Sequence, residues 1–252
     1  MKKLVLLTSL VLSTAVVAAP QQPEITIETI EVTQEQLIEM GLATASSNKG
    51  LDTGGFAGGG DPGPGPGPGY GAGGDRIEQA GRIITVARDM VALGEAIYEL
   101  VRKGKPSNVT EYAPISVVPR DPMTKEYVEP FDLEGFSMPV EKNFVANIKS
   151  GGREVVKFAY KVMYSYGGSY NGTGKFLTSV IVVPSSVVTK WGWEFNASMK
   201  LSGIMNHGSK ADPVAGVMVT MKYQMNGWGT AYERNDTIHI TGAGQLKNHM
   251  MP

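Results

Sequence analysis

Three histidines come first, because imidazole serves both proton transfer and metal binding. His207 falls in a turn-rich stretch, His239 in an alternating apolar run and His249 close to the C-terminus. None stands in H-E-x-x-H or H-x-x-E-H spacing, and no Gly-x-Ser-x-Gly elbow occurs. His239, Asp236 and one of several serines could be assembled into a nucleophilic triad, yet nothing local singles out a serine. No catalytic residue is assigned, and three histidines are too few for a His-rich metal site. The chain has no Cys, which removes disulfides, Cys-ligated zinc, iron–sulfur clusters and a thiol nucleophile.

The carboxylates fare little better. Glycoside hydrolysis needs two acids facing each other across a cleft, whereas Glu194, Asp212, Glu233 and Asp236 are scattered and read as a solvated face. Asp212 and Asp236, with Asn206, Asn226 and Asn235, are hard oxygen donors on expected loops, which makes the two acids weak calcium candidates. No D-x-D-x-D-G loop accompanies them, so no metal and no cofactor is expected. The run Gly167 to Gly174 lacks the Gly-Lys-Ser/Thr ending of a phosphate-cradling loop and leads into a strand, so it reads as a hairpin turn. The Asn-x-Ser/Thr matches at Asn108, Asn171, Asn196 and Asn235 are expected to be unmodified in a bacterial chain.

Aromatic residues carry the stronger signal. Tyr170 and Trp228 lie beside Gly-rich turns, with Tyr232 close by. An exposed ring there could stack on a sugar or sit at a membrane interface. Trp191 and Trp193 share one face of an alternating run and are expected in the core.

The elements that position these residues follow from periodicity. The 252-residue chain is 42% hydrophobic and 19% charged with net charge −1, enough apolar material for a core and too little basic excess for a nucleic-acid binder. Lys2 and Lys3, then an apolar run from Leu4 to Val17 broken only by Ser and Thr, then Ala18 and Ala19, predict a signal peptide over residues 1–18. That run is too short to span a bilayer. Export to the periplasm, the outer-membrane surface or the medium is expected, from a bacterial source.

Residues 19–49 form an acidic arm, a candidate propeptide or partner-binding segment. Within it Ile25, Ile27, Ile30 and Val32 predict a short strand, and Thr33 with Gln36 predicts a capping box opening a helix through Met40. Residues 50–74 hold 13 Gly and 4 Pro, the composition of a disordered linker. The folded domain is placed at 75–252.

That domain is expected to open with an amphipathic helix from Ile77 to Arg102. Ile77, Ala80, Ile84, Ala87, Val91, Gly94, Tyr98 and Val101 alternate spacings of three and four. Its small-residue row (Ala80, Ala87, Gly94) invites close approach of another backbone. Residues 108–152 are Pro-punctuated and irregular, with short strands near Ile115–Val118 and Phe144–Ile148. Beyond Arg153 the period becomes two: Val155–Tyr166, Phe176–Val183, Thr189–Leu201, Val217–Met225 and Thr237–Thr241 read as strands, with Asn226-Gly227 as turn material. The fold expected is mainly β, an antiparallel β-sandwich or flattened barrel preceded by one amphipathic helix.

The layout of an amphipathic helix ahead of an aromatic-rich β-sandwich resembles actinoporin-type pore formers, which implies a helix that detaches and inserts into lipid. No residue-level motif carries the resemblance, so no site is transferred from it. The leading expectation is an exported, non-catalytic binding or assembly module of the bacterial envelope or secretome. A protein or cell-surface partner is expected, with the membrane and a second copy of the chain as further candidates and nucleic acid excluded. The rivals are a membrane-active protein inserting Ile77 to Val101, and a secreted hydrolase whose site the sequence conceals.

Overall fold

Alternation of period two builds the long strands of this fold. Residues 24–43, 82–87, 89–109 and 112–250 are described by a computed structural model. The expected signal peptide, the Gly/Pro run 50–74 and the expected helical positions Ile77 and Ala80 lie outside them. In chain order the strands are β1 (Ile25–Val32), β2 (Arg82–Ala87), β3 (Met90–Gly94), β4 (Ile97–Arg102), β5 (Lys105–Pro106) and β6 (Ile115–Pro119). They continue with β7 (Val140–Ser150), β8 (Arg153–Tyr170), β9 (Thr173–Thr189) and β10 (Trp193–Asn206). β11 (Ala215–Gly227), β12 (Thr230–Thr241) and β13 (Leu246–Met250) complete the set, with one short helix, α1 (Gln34–Glu39), after β1.

The strands form two antiparallel sheets, a seven-stranded one in the order β1-β7-β8-β9-β6-β3-β2 and a six-stranded one in the order β13-β12-β11-β10-β4-β5. Phe158, Tyr160, Val162 and Tyr164 of β8 face Phe195, Ala197 and Met199 of β10 and Val217, Val219, Met221 and Tyr223 of β11, all buried in one core. Phe158 is the hub of its aromatic centre, with ring centroids 5.3 Å from Tyr160, 5.5 Å from Phe195 and 6.4 Å from Tyr223. The sandwich and its inward faces agree with the sequence expectation.

The expected helix over Ile77 to Arg102 does not form in the described part of that span. Ile84 and Ala87 lie in β2, Val91 and Gly94 in β3, and Tyr98 and Val101 in β4. Each strand is five or six residues long and the joining turns are short, so strand plus turn repeats about every seven residues. That repeat reproduces a heptad-like spacing without a helix. All of β3 is buried, and Val91, Tyr98 and Val101 sit in the sandwich core. The lipid-inserting element drawn from this span, and with it the layout likeness to pore formers, loses its structural basis.

A second correction concerns the arm. Its expected strand and helix are present, and the capping box is complete: Gln36 N–H donates to Thr33 Oγ1 and Thr33 N–H donates to Gln36 Oε1. These elements are not separate from the domain, however. β1 pairs along its whole length with β7, from Ile25 opposite Ser150 to Val32 opposite Asn143. Leu37 and Leu42 are buried with Val32 against Val145 and Ala159 on the outer face of the same sheet. Apolar residues on both faces of β1 leave it nothing to gain from water, and an unpaired sheet edge gives it a place to dock. Residues 24–43 are therefore part of the sandwich.

Candidate functional site

Two connections meet at one end of β10 and β11, where Trp193 pairs with Gly227. The β9–β10 connection carries Trp191 and the β11–β12 hairpin carries Trp228. Both indoles are turned out to solvent, at 86% and 69% exposure, with ring centroids 5.4 Å apart in an edge-to-face pair. Burial of Trp191, expected from its place in the alternating run, is thus corrected. β10 begins at Trp193, so the alternation that buries Phe195 and Ala197 stops short of Trp191. Trp193 is half-buried and packs on the core.

One member of the pair, Trp228, is seated over the glycine beside the other. A Cβ on Gly192, beside Trp191, would lie 2.6 Å from Trp228 Nε1, and one on Gly227, beside Trp228, would lie 2.6 Å from Trp193 Cε3. The β9–β10 connection thus seats the Trp228 indole, whereas Gly227 makes room for Trp193, the half-buried indole of β10. The hairpin loop itself is only Trp228-Gly229, since Gly227 pairs with Thr230. Its φ angles are +49° and +77°, the sign pattern of a type I′ turn. Asn, Asp or Gly is the usual first residue of such a turn, so Trp at positive φ is a strained choice. The expected turn residues Asn226-Gly227 belong instead to the end of β11.

Next to the indoles, the outer face of the six-stranded sheet is polar. Glu194 pairs with Asn226, Asn196 with Gln224, and Gln224 with Glu233. Gln224 Nε2 donates to Glu233 Oε2 at 3.1 Å, and Lys222 Nζ lies 2.7 Å from Glu233 Oε1. Those two donors draw the Glu233 carboxyl below its usual range, Lys222 contributing most. Tyr232 lines a shallow depression with Gln224, Asn226 and Glu233, although it faces inward from β12 and packs half-buried against the core.

Tyr170 sits elsewhere, at the tip of the β8–β9 hairpin, whose loop is Asn171-Gly172. It lines an open groove of about 610 Å³ with Asp121, Lys125, Asn171 and Lys210. Its hydroxyl donates to Asp121 Oδ2 at 2.7 Å, and Asp121 Oδ1 accepts the N–H groups of Met123 and Thr124, each at 2.8 Å. These contacts, the Thr124 N–H foremost, lower the Asp121 carboxyl to about 2. Acceptance by Asp121 in turn raises the Tyr170 phenol. The hydroxyl is committed to folding the 121–126 loop.

The acids weighed for calcium are committed too, and to different partners. Asp212 Oδ1 accepts Gly174 N–H at 2.9 Å. Asp236 is fully buried on the inner face of β12, where Oδ2 accepts Thr29 Oγ1–H and Oδ1 lies 3.5 Å from Arg234 Nε. Among the described residues no three His, Asp or Glu side chains converge as a metal cluster. Asp236 and His239 project from opposite faces of β12, so the conceivable His239–Asp236 arrangement is not assembled.

His239 instead meets His207, with Nε2 atoms 2.9 Å apart. Burial first, then the neighbouring His207, His249 and Lys247, hold His239 below the usual imidazole range. Neither the tryptophan pair nor the histidine pair was assigned from sequence. The first was concealed by the strand boundary, and the second depends on two strands meeting in space. Comparison with protein-family models, with curated proteins and with solved structures finds no match to this chain.

Proposed function

We propose that the protein is an exported, non-catalytic binding module that engages glycan chains through Trp191 and Trp228. The exposed edge-to-face indole pair carries this reading. A strained Trp at the tip of a two-residue turn, with most of its surface in solvent, suits a ring kept for a ligand. Indole faces attract the C–H surfaces of sugar rings, while Asn226, Gln224, Glu194 and Glu233 alongside supply acceptors and donors for hydroxyls. Seating of Trp228 over Gly192 favours affinity, because that side chain has less freedom to lose on binding. Export rests on the Lys-led apolar leader and its small-residue cleavage site.

The test is affinity electrophoresis of the mature chain through gels containing peptidoglycan fragments, chitin oligomers, or α- and β-glucans. Trp191→Ala, Trp228→Ala and the double variant run alongside. Retardation by one glycan class, lost in the double variant with an unchanged circular dichroism spectrum, is the expected result. Equal mobility of all forms in every gel overturns it, as does tryptophan-dependent cosedimentation with liposomes in place of glycan retardation.

A further inference from the structure

The opposite end of β10 to β12 from the tryptophans carries the paired histidines, and there we propose a site for a divalent late transition-metal ion, copper(II) first, chelated by His207 and His239. His207 follows β10 and His239 lies near the end of β12, with β11 between them. The Nε2 atoms are 2.9 Å apart and the ring centroids 4.7 Å apart. Rings meeting head-on through those nitrogens would hold their centroids farther apart. The imidazoles are therefore inclined to the N···N line, and their lone pairs can address a point beside it.

The bite favours one coordination geometry. With metal–nitrogen bonds of about 2.0–2.1 Å, nitrogens 2.9 Å apart subtend about 90° at the ion, the cis angle of tetragonal copper(II) or octahedral nickel(II). A tetrahedral zinc ion wants its donors about 3.3 Å apart at the same bond length. Water completes the coordination shell, and Thr241 and Gln245 line the same depression with neutral oxygens.

The backbone between the histidines is shaped for them. Gly216 of β11 is outside the left-handed region, so its missing side chain serves no turn. A Cβ there would lie 2.5 Å from His207 Nε2 and 3.1 Å from His239 Nε2. The glycine clears a floor on which both nitrogens rest. His207 is anchored from behind: its N–H donates to the Val214 carbonyl, and Asn206 Oδ1 accepts the N–H groups of Gly208 and Val214. Lys247, opposite His239 on β13, also lines the depression. Its ammonium repels an ion held by charge alone, so affinity must come from nitrogen donation, which ranks copper(II) above the other divalent ions.

Calorimetric titration of the tag-free mature chain with Cu²⁺, Ni²⁺ and Zn²⁺ tests the site, with electron paramagnetic resonance of the copper form. One Cu²⁺ per chain is expected, bound more tightly than Ni²⁺ or Zn²⁺, with two-nitrogen hyperfine structure. His207→Ala and His239→Ala should each weaken it at least tenfold. Gly216→Ala, which keeps both imidazoles but fills the floor between them, should also weaken it. Copper affinity in the His207→Ala/His239→Ala double variant equal to that of the parent overturns the proposal, as does a parent that binds no Cu²⁺.

Discussion

Thr29 Oγ1 donates to Asp236 Oδ2 at 2.8 Å, joining β1 to β12 across 207 positions. Asp236 is fully buried, and its other oxygen meets Arg234 Nε at 3.5 Å without hydrogen-bond geometry. Tyr160 and Tyr223 lie near it, their own hydroxyls 3.4 Å apart and lifted above the usual phenol range chiefly by burial. β1 therefore brings a hydrogen-bond donor to an inward-facing carboxylate as well as a sheet edge.

Thr29→Val keeps the shape and removes that donor. A buried acceptor that loses its hydrogen-bond partner costs about 1–3 kcal/mol, so the urea midpoint should fall by a corresponding amount. Thr29→Ser keeps the hydroxyl and should lie close to the parent. If Val and Ser were equally stable, the carboxylate would not depend on this contact.

The Asp121–Tyr170 pair makes a pH prediction. The Asp121 carboxyl is lowered from 3.8 to about 2 in the folded chain. Its contribution is complete above the unfolded value and is lost as pH falls through about 2. Tyr170 is raised, so its contribution is complete below the unfolded phenol value and is lost as pH rises through the higher folded one. The 121–126 loop should therefore keep its fold at pH 3, by carboxyl-detected NMR titration. Tyr170→Phe should move the Asp121 midpoint upward without restoring the ordinary value, because the Thr124 and Met123 N–H groups remain. An unmoved midpoint would mean that the phenol does not hold the carboxylate.

The fold is legible in the sequence where one period runs unbroken. The inward positions Phe158, Tyr160, Val162 and Tyr164, and Val217 through Tyr223, were legible because alternate residues of one strand must share a face. The Thr33–Gln36 capping box was legible for the same local reason. Short elements are not legible in this way. In β2 to β4 the turns intervene before alternation can establish itself, and the β-branched run Ile83-Ile84-Thr85-Val86 was the cue that favoured strands. The docking of β1 on β7 and the meeting of His207 with His239 are contacts between distant segments, which no local pattern encodes. Tyr170 and Trp228 were both found as turn aromatics, but only the structure separates a hydroxyl committed to Asp121 from an indole turned to solvent.

Stability and binding should oppose each other at Trp228. Its φ of +49° lies where Asn is well tolerated and a bulky aromatic is not. Trp228→Asn should raise the unfolding free energy by about 1 kcal/mol through relief of that strain, while glycan retardation is lost. A drop in stability would show that the contacts of the indole with Trp191 and Gly192 outweigh the turn strain. The strained tip would then be a packing feature.

The close approach of β3 to the segment before β6 can be isolated with two glycines. Gly94 has φ of +126°, and a Cβ on it would lie 2.5 Å from the Pro114 carbonyl oxygen and 2.9 Å from Ile115 Cα. Both neighbours are backbone, so neither can rotate away. Gly152, in the β7–β8 turn, has φ of +77° with nothing within 4 Å of its Cβ position. Gly152→Ala should thus cost only the left-handed penalty, about 1–2 kcal/mol. Gly94→Ala adds a collision to an even less favourable dihedral and should cost about 1–3 kcal/mol more. Parallel urea melts of the two variants measure the difference. Equal losses would mean that β3 can move away from Pro114, and that the small residue at position 94 answers to its backbone dihedral alone.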